Sequence, residues 1–230
     1  MSCTYKDITY SLKKSSRKTA SIYIERDGSV SVLVPKTLKK SDVEELIEKK
    51  RKWIYRNLAE WQDMNAARIR RQYVSGEGFL YLGRSYRLKL VDDQPERLSL
   101  KGGYFCLLSK DGRLQKPDAA FKSFYKSKGQ EKISDRVKFY SDRMGVDPAG
   151  VRVLELKNRW ASCTPEGRLN FHWKCMMAPP TIIDYIVVHE LAHLRYLNHT
   201  KAFWNQVDKV LPDYRERKQW LKVHGAGMDV

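Results

Sequence analysis

The chain has 230 residues, enough for one large domain or two small ones with a real core. With 42% hydrophobic and 31% charged residues it has the composition of a folded globular protein and is too apolar for a disordered one. The formal net charge is +17 and the excess is spread along the chain, so it is not a detachable basic tail; such a field suits nucleic acid as a partner, and equally it keeps a protein soluble.

The first residues, Met1-Ser-Cys-Thr-Tyr-Lys-Asp, have neither the basic start nor the apolar stretch of a secretory signal. Ala20 to Glu25 and Ser29 to Val34 alternate in hydrophobicity around Arg26-Asp27-Gly28, which predicts a β-hairpin. Ser41-Asp-Val-Glu44 reads as a capping box, and Val43, Leu46, Ile47, Ile54, Leu58 and Trp61 keep helical spacing to about residue 65. The outer face of that helix is basic (Lys49, Lys50, Arg51, Lys52, Arg56). Strands are predicted at 79–82, 86–91, 97–100 and 104–108, with Gly83-Arg84, Asp92 to Pro95 and Gly102-Gly103 as turns and Asp111-Gly112 closing the section. A second long helix spans 117–144, with Gly129 as a weak helix former inside it. No internal repeat is visible.

From Val151 the texture changes. Strands are predicted at 151–156, 160–163 and 168–173, the last two joined by a turn at Thr164-Pro-Glu-Gly167. Pro180 then opens a helix running to about Leu197, apolar nearly all round and therefore buried. Residues 189–193 read His-Glu-Leu-Ala-His. Positions i and i+4 share a helix face, so His189 and His193 can address one ion, and Glu190 lies beside that ion without being a ligand. Asn198 suits a helix stop, after which His199 can turn back onto the same metal. Three histidines leave one tetrahedral position for water, the pattern of a catalytic zinc, with Glu190 as general base. The cysteines (Cys3, Cys106, Cys163, Cys175) form no CxxC pair and read as reduced thiols of a cytoplasmic protein; Cys163 is the one placed to act as a fourth ligand. Arg159, Trp160, Asn170, His172 and Tyr214 are candidate substrate contacts, and Arg159, His172 and Tyr214 are also candidate oxyanion donors. Asp184, Asp208 and Asp213 are candidate partners for the second nitrogens of the ligand histidines. Thr200 caps a further helix that ends at Leu211-Pro212, and Asp213-Tyr-Arg-Glu216 reads as another capping box.

Asn158-Arg-Trp-Ala-Ser-Cys163, Gly167-Arg-Leu-Asn170, Asp184 to His193, Asn198-His199 and Phe203-Trp204 resemble the YgjP-like family of metal-dependent hydrolases, relatives of the SprT-like zincins. The 49–54 stretch, Tyr81 to Tyr86 and the segment from Pro212 to Trp220-Leu-Lys fit the same pattern. The resemblance implies an α+β chain: a β-rich N-terminal region with a long helix over 1–112, then a minimal zincin-like metallopeptidase domain over 113–230, a small sheet packed on an active-site helix. It implies one zinc ion on His189, His193 and His199, Glu190 as base and a peptide or protein substrate. One departure is Ala161, where the family pattern has glycine, a change that narrows any close approach of substrate backbone. Strand 168–171 is either the edge that pairs with an extended peptide or plain sheet core. The histidine spacing also matches metzincins, which have glycine where Tyr196 stands. Two other functions fit the residues: a metal-dependent hydrolase of small amides or esters, and a non-catalytic nucleic-acid-binding protein with a structural zinc. No stretch reaches the roughly eighteen apolar residues of a membrane span.

Overall fold

The computed structural model describes residues 2–24, 28–66, 71–156 and 159–230, and the chain divides into two compact units, Met1–Arg68 and Ile69–Val230. Arg26 and Asp27 of the expected turn, the Trp61 side chain and Asn158 lie outside the described residues.

In the first unit, strands β1 (Ser2–Tyr5), β2 (Ile8–Ser15), β3 (Ser21–Ile24) and β4 (Val30–Pro35) form a sheet in the order β1-β2-β4-β3. β3 and β4 are the expected antiparallel pair, with Ile22 opposite Val32, while β2 runs parallel to β4. Val30, Val32 and Val34 point into a core closed by Val43, Ile47 and Ile54 of helix α1 (Lys40–Ala66). The helix begins one residue before Ser41. Its start is capped by Asp42, whose carboxylate accepts the Lys39 backbone N–H at 3.1 Å, while Glu44 turns to Lys40. The capping box expected at 41–44 is thus replaced by a bond of the same span two residues earlier, between Lys39 and Asp42.

The second unit opens with β5 (Gly78–Tyr81), β6 (Arg84–Val91), β7 (Leu98–Lys101) and β8 (Tyr104–Lys110) in the order β5-β6-β8-β7, with β9 (Arg113–Leu114) folded back on β8. Two antiparallel pairs joined by a central parallel pair reproduce the path of the first sheet, and again a long helix follows, α2 (Pro117–Met144). α2 passes unbroken through Gly129. That residue is buried, and a Cβ there would come within 3.1 Å of both Met176 and Val153, so the missing side chain lets the helix lie close to its neighbours. Phe121 of α2 stacks on Phe79 at 4.2 Å, and the 78–114 sheet shares one core with α2 and everything after residue 150. The boundary by packing accordingly falls at 68/69, whereas the sequence pattern divides at 112/113.

A third sheet holds β10 (Gly150–Leu154), β11 (Ala161–Cys163) and β12 (Arg168–His172). β12 is its middle strand, parallel to β10 and antiparallel to β11. Strand 168–171 therefore does not offer an edge to a peptide: both sides of its ladder are taken, and β11 is an outer strand. A 3-10 turn, Trp173–Met177, leads to helix α3 (Pro180–Ala192), whose start is held by the β5–β6 turn. There Leu82 and Gly83 donate backbone N–H groups to Met176 and Met177 at 2.8 and 3.1 Å. The buried side of α3 is clamped to α2 by Arg136, which donates twice to Asp184 at 2.6 and 2.9 Å.

α3 stops at Ala192, not near Leu197. His193, Leu194 and Arg195 bond to carbonyls three residues back, so the last turn tightens and the chain reverses before Asn198. Helix α4 (Lys201–Val210) starts at Thr200, whose hydroxyl accepts the Phe203 N–H. Helix α5 (Tyr214–His224) follows Asp213, which accepts from Arg217 Nε at 2.9 Å in place of the expected capping box. The whole is a mixed α+β fold. Among the described residues no helix is long and apolar enough to cross a membrane.

Candidate metal centre

His189 sits in the last turn of α3, His193 at its C-cap and His199 in the reversal before α4. The early end of α3 is what brings the third ring back. One nitrogen from each of the three rings lies within 4.8 Å of the others, and the Nε2 atoms of His189 and His199 face each other at 3.0 Å. Phe203 of α4 is fully buried beneath them, its ring centroid 5.0, 4.7 and 4.7 Å from those of His189, His193 and His199. Trp204 stacks on His199 at 5.6 Å, and Tyr185, one turn before His189 on α3, meets the His189 ring edge-on at 5.9 Å.

The donor set fits a divalent metal of borderline softness. Tetrahedral zinc with imidazole ligands needs nitrogens about 3.4 Å apart, close to the facing pair. His193 Nδ1 is bonded to the Tyr196 carbonyl at 3.0 Å, which reserves its other nitrogen for a ligand role. Burial, reinforced by His193, His199 and Lys218, pushes the His189 pKa down to about 3, so the ring is neutral as a ligand must be. His199 is lowered for the same reasons, burial first, then His193 and Lys218. The Cys163 thiol is not part of the cluster; it donates to the Thr164 carbonyl at 3.5 Å.

Glu190 is almost fully buried, between α3 and β11. Burial pushes its pKa up to about 8, against the opposing pull of Arg159 and of a hydrogen bond from the Cys163 backbone N–H. Arg159 is exposed and acts electrostatically on this carboxylate. Trp160 lies on the same segment, its ring against Gly225, where a Cβ would come within 2.7 Å. Asn170 is on the middle strand, opposite Ser162 of β11. His172 is buried and its Nδ1 accepts the Lys174 N–H at 3.0 Å, so it caps the 3-10 turn. Tyr214 is buried, stacked on Trp204 at 5.2 Å, with its hydroxyl accepting from Arg215 Nε. Ala161 opens β11 and is buried. Of the three aspartates, Asp184 serves Arg136, Asp213 serves Arg217 and Asp208 acts on Arg215.

Tyr185 and Lys218 have no counterpart among the sequence candidates. Tyr185 was open to notice, since it precedes His189 by one helical turn. Lys218 carries no local signal, because α4 and a turn separate it from the histidines.

Site and fold together define a protein class: an α+β chain in which three histidines able to hold a metal ion meet at the end of a buried helix. Residues 18–224 match the family model described as YgjP-like, metallopeptidase domain. The chain belongs to this family and is a metal-dependent peptidase, with peptides or proteins as its substrate class. Two solved structures are similar over part of the chain. One is the metallopeptidase zymogen abylysin of Pyrococcus abyssi, with 26% identity and a TM-score of 0.37, covering 39% of this chain and 90% of that one. The other is the metallopeptidase zymogen jannalysin of Methanocaldococcus jannaschii, with 19% identity and a TM-score of 0.36, covering 39% and 92%. No curated protein matches the chain.

Proposed function

We propose that the protein is a zinc peptidase that holds one ion on His189, His193 and His199 and uses Glu190 as general base. The convergence of the three imidazoles within 4.8 Å carries this reading. When bound, zinc supplies Lewis acidity, lowering the pKa of a coordinated water and polarising a scissile carbonyl. In this reading Glu190, adjacent to His189 in sequence, takes the proton released in the attack and returns it to the leaving nitrogen. Arg159, which acts on Glu190 from an exposed position, is the residue this reading assigns to the developing oxyanion. His172 and Tyr214 are committed to the 3-10 turn and to Trp204.

This reading puts the zincin-like segment, 113–230, inside the compact unit Ile69–Val230 of a cytoplasmic protein. Its substrates are proteins that associate with nucleic acid, a choice supported by the net charge of +17.

Glu190→Gln tests the base. The variant should retain about one zinc per chain and the wild-type fold while cleavage falls about 100- to 10,000-fold. A proteomic cleavage screen comparing it with wild type would identify substrates. Wild-type turnover in the variant would remove Glu190 from the chemistry, and zinc retained after His189→Ala would remove the proposed ligand set.

A further inference from the structure

Next to the histidines, α4 and α5 border an open depression of about 540 Å³ lined by Trp204, Tyr214, Arg215, Lys218, Gln219 and Lys222, the three cations and Gln219 being solvent-exposed. Arg215, Lys218 and Lys222 follow one another at spacings of three and four residues, which places all three cations on one face of α5. The rest of the lining is aromatic, Trp204 from α4 and Tyr214 from the start of α5. Trp204 and Tyr214 stack nearly parallel, with an interplanar angle of 17°. The Lys218 ammonium lies 4.4 Å from the centre of the Trp204 ring. That same indole is 5.6 Å from His199 and 5.8 Å from His189, so the depression and the metal centre share Trp204 as a wall.

The cations differ in their commitments. Arg215 donates to the Tyr214 hydroxyl at 3.2 Å and feels the Asp208 carboxylate. Lys218 has no carboxylate within ion-pair distance among the described residues. An anionic group entering the depression would meet the exposed Lys218 ammonium held over the Trp204 ring, a modest, salt-sensitive charge pair. A peptide lying across the metal centre in extended form advances about 3.3 Å per residue, so a side chain two or three positions from the scissile bond reaches past Trp204. A nucleic-acid strand would instead need a longer run of cations at phosphate spacing than the three on this face of α5.

We propose that this depression is a substrate subsite for an acidic side chain, aspartate or glutamate, on the His199 side of the scissile bond, with Lys218 as its specificity determinant. The inference rests on the peptidase reading above. Lys218 is not a proposed ligand, though it acts electrostatically on His189 and His199, so zinc content is measured for every Lys218 variant.

The full chain carrying Glu190→Gln, loaded with zinc, is titrated with labelled neutral peptides in which a single glutamate is moved along residue by residue. The glutamine counterparts serve as reference. At one or two adjacent positions the glutamate peptide should bind about fivefold tighter, an advantage that shrinks with added salt. Adding Lys218→Gln should abolish the advantage, and Lys218→Glu should transfer it to a lysine-bearing peptide. Zinc content and thermal midpoint establish that each variant is folded, and Lys218→Gln carries the test if the charge reversal is not. Equal affinity for glutamate and glutamine peptides at every position, or an advantage that survives Lys218→Gln, overturns the subsite. Tighter Lys218-dependent binding of a single-stranded oligonucleotide than of any peptide overturns it in favour of a nucleic-acid groove. The two readings fail separately. Wild-type cleavage indifferent to acidic residues sinks the subsite alone, and Lys218-dependent binding without cleavage of any peptide sinks the peptidase reading alone.

Discussion

Glu190 and His189 are adjacent in sequence and burial moves their titrations in opposite directions, the carboxyl up to about 8 and the imidazole down to about 3. In the metal-free chain each costs stability over its own pH range. The folded state keeps a proton on Glu190 that the unfolded chain releases at its ordinary value of 4.5, so stability is lost as pH rises from there towards 8. His189 is neutral when folded and protonated when unfolded below 6.5, so stability is lost as pH falls from there towards 3. Metal-free Glu190→Gln should therefore melt several degrees above the metal-free wild type at pH 8 and close to it at pH 5. Differential scanning calorimetry at the two values decides it; an equal gain at both would mean that the buried charge is not the source. The three histidines and Glu190 were legible as types and spacings, because an i, i+4 pair on one helix face is a local property. Their environment was not, since the residues that bury them come from α4, α5 and β11.

At the scale of the element, the position of α3 depends on a turn nearly one hundred residues earlier in the chain. Gly83 has φ of +78°, and a Cβ there would come within 2.9 Å of the Pro179 Cα, just where α3 begins. Gly83→Ala should cost about 2–5 kcal/mol, combining left-handed strain with overpacking against backbone that cannot yield. Gly102→Ala, at φ of +58° with nothing within 4 Å, isolates the strain and should cost about 1–2 kcal/mol. Chemical denaturation of both variants measures the difference, and equal losses would mean that the contact with Pro179 does not position α3. Periodicity located most elements of this chain, yet it did not mark β1, β2 or β9, misjudged the end of α3 and left the place of strand 168–171 open. A helix end is decided by which carbonyls the last N–H groups find, and strand order by which edges meet. Neither is written in a hydrophobic pattern.

At the scale of the whole molecule, each unit has its own core, one around Val32, Ile47 and Ile54, the other around Phe79, Phe121, Trp173 and Val187. A fragment comprising 69–230 should therefore fold cooperatively and bind about one zinc with the stoichiometry of the full chain. Circular dichroism and metal analysis test it, and an unfolded fragment would show that the packing boundary is not a folding boundary. The two four-stranded paths followed by long helices share a topology that no sequence similarity announces, because many different alternating patterns satisfy one strand order. What the sequence by itself determined is local: the helix and strand periods, the His-Glu-x-x-His face, the basic charge and the family. Only the tertiary structure decided which strand lies in the middle of the third sheet, where α3 ends, and that a lysine on α5 stands beside the histidines. Those outcomes depend on contacts between segments far apart in the chain, and their free energy comes from surfaces that exist only after the segments have packed.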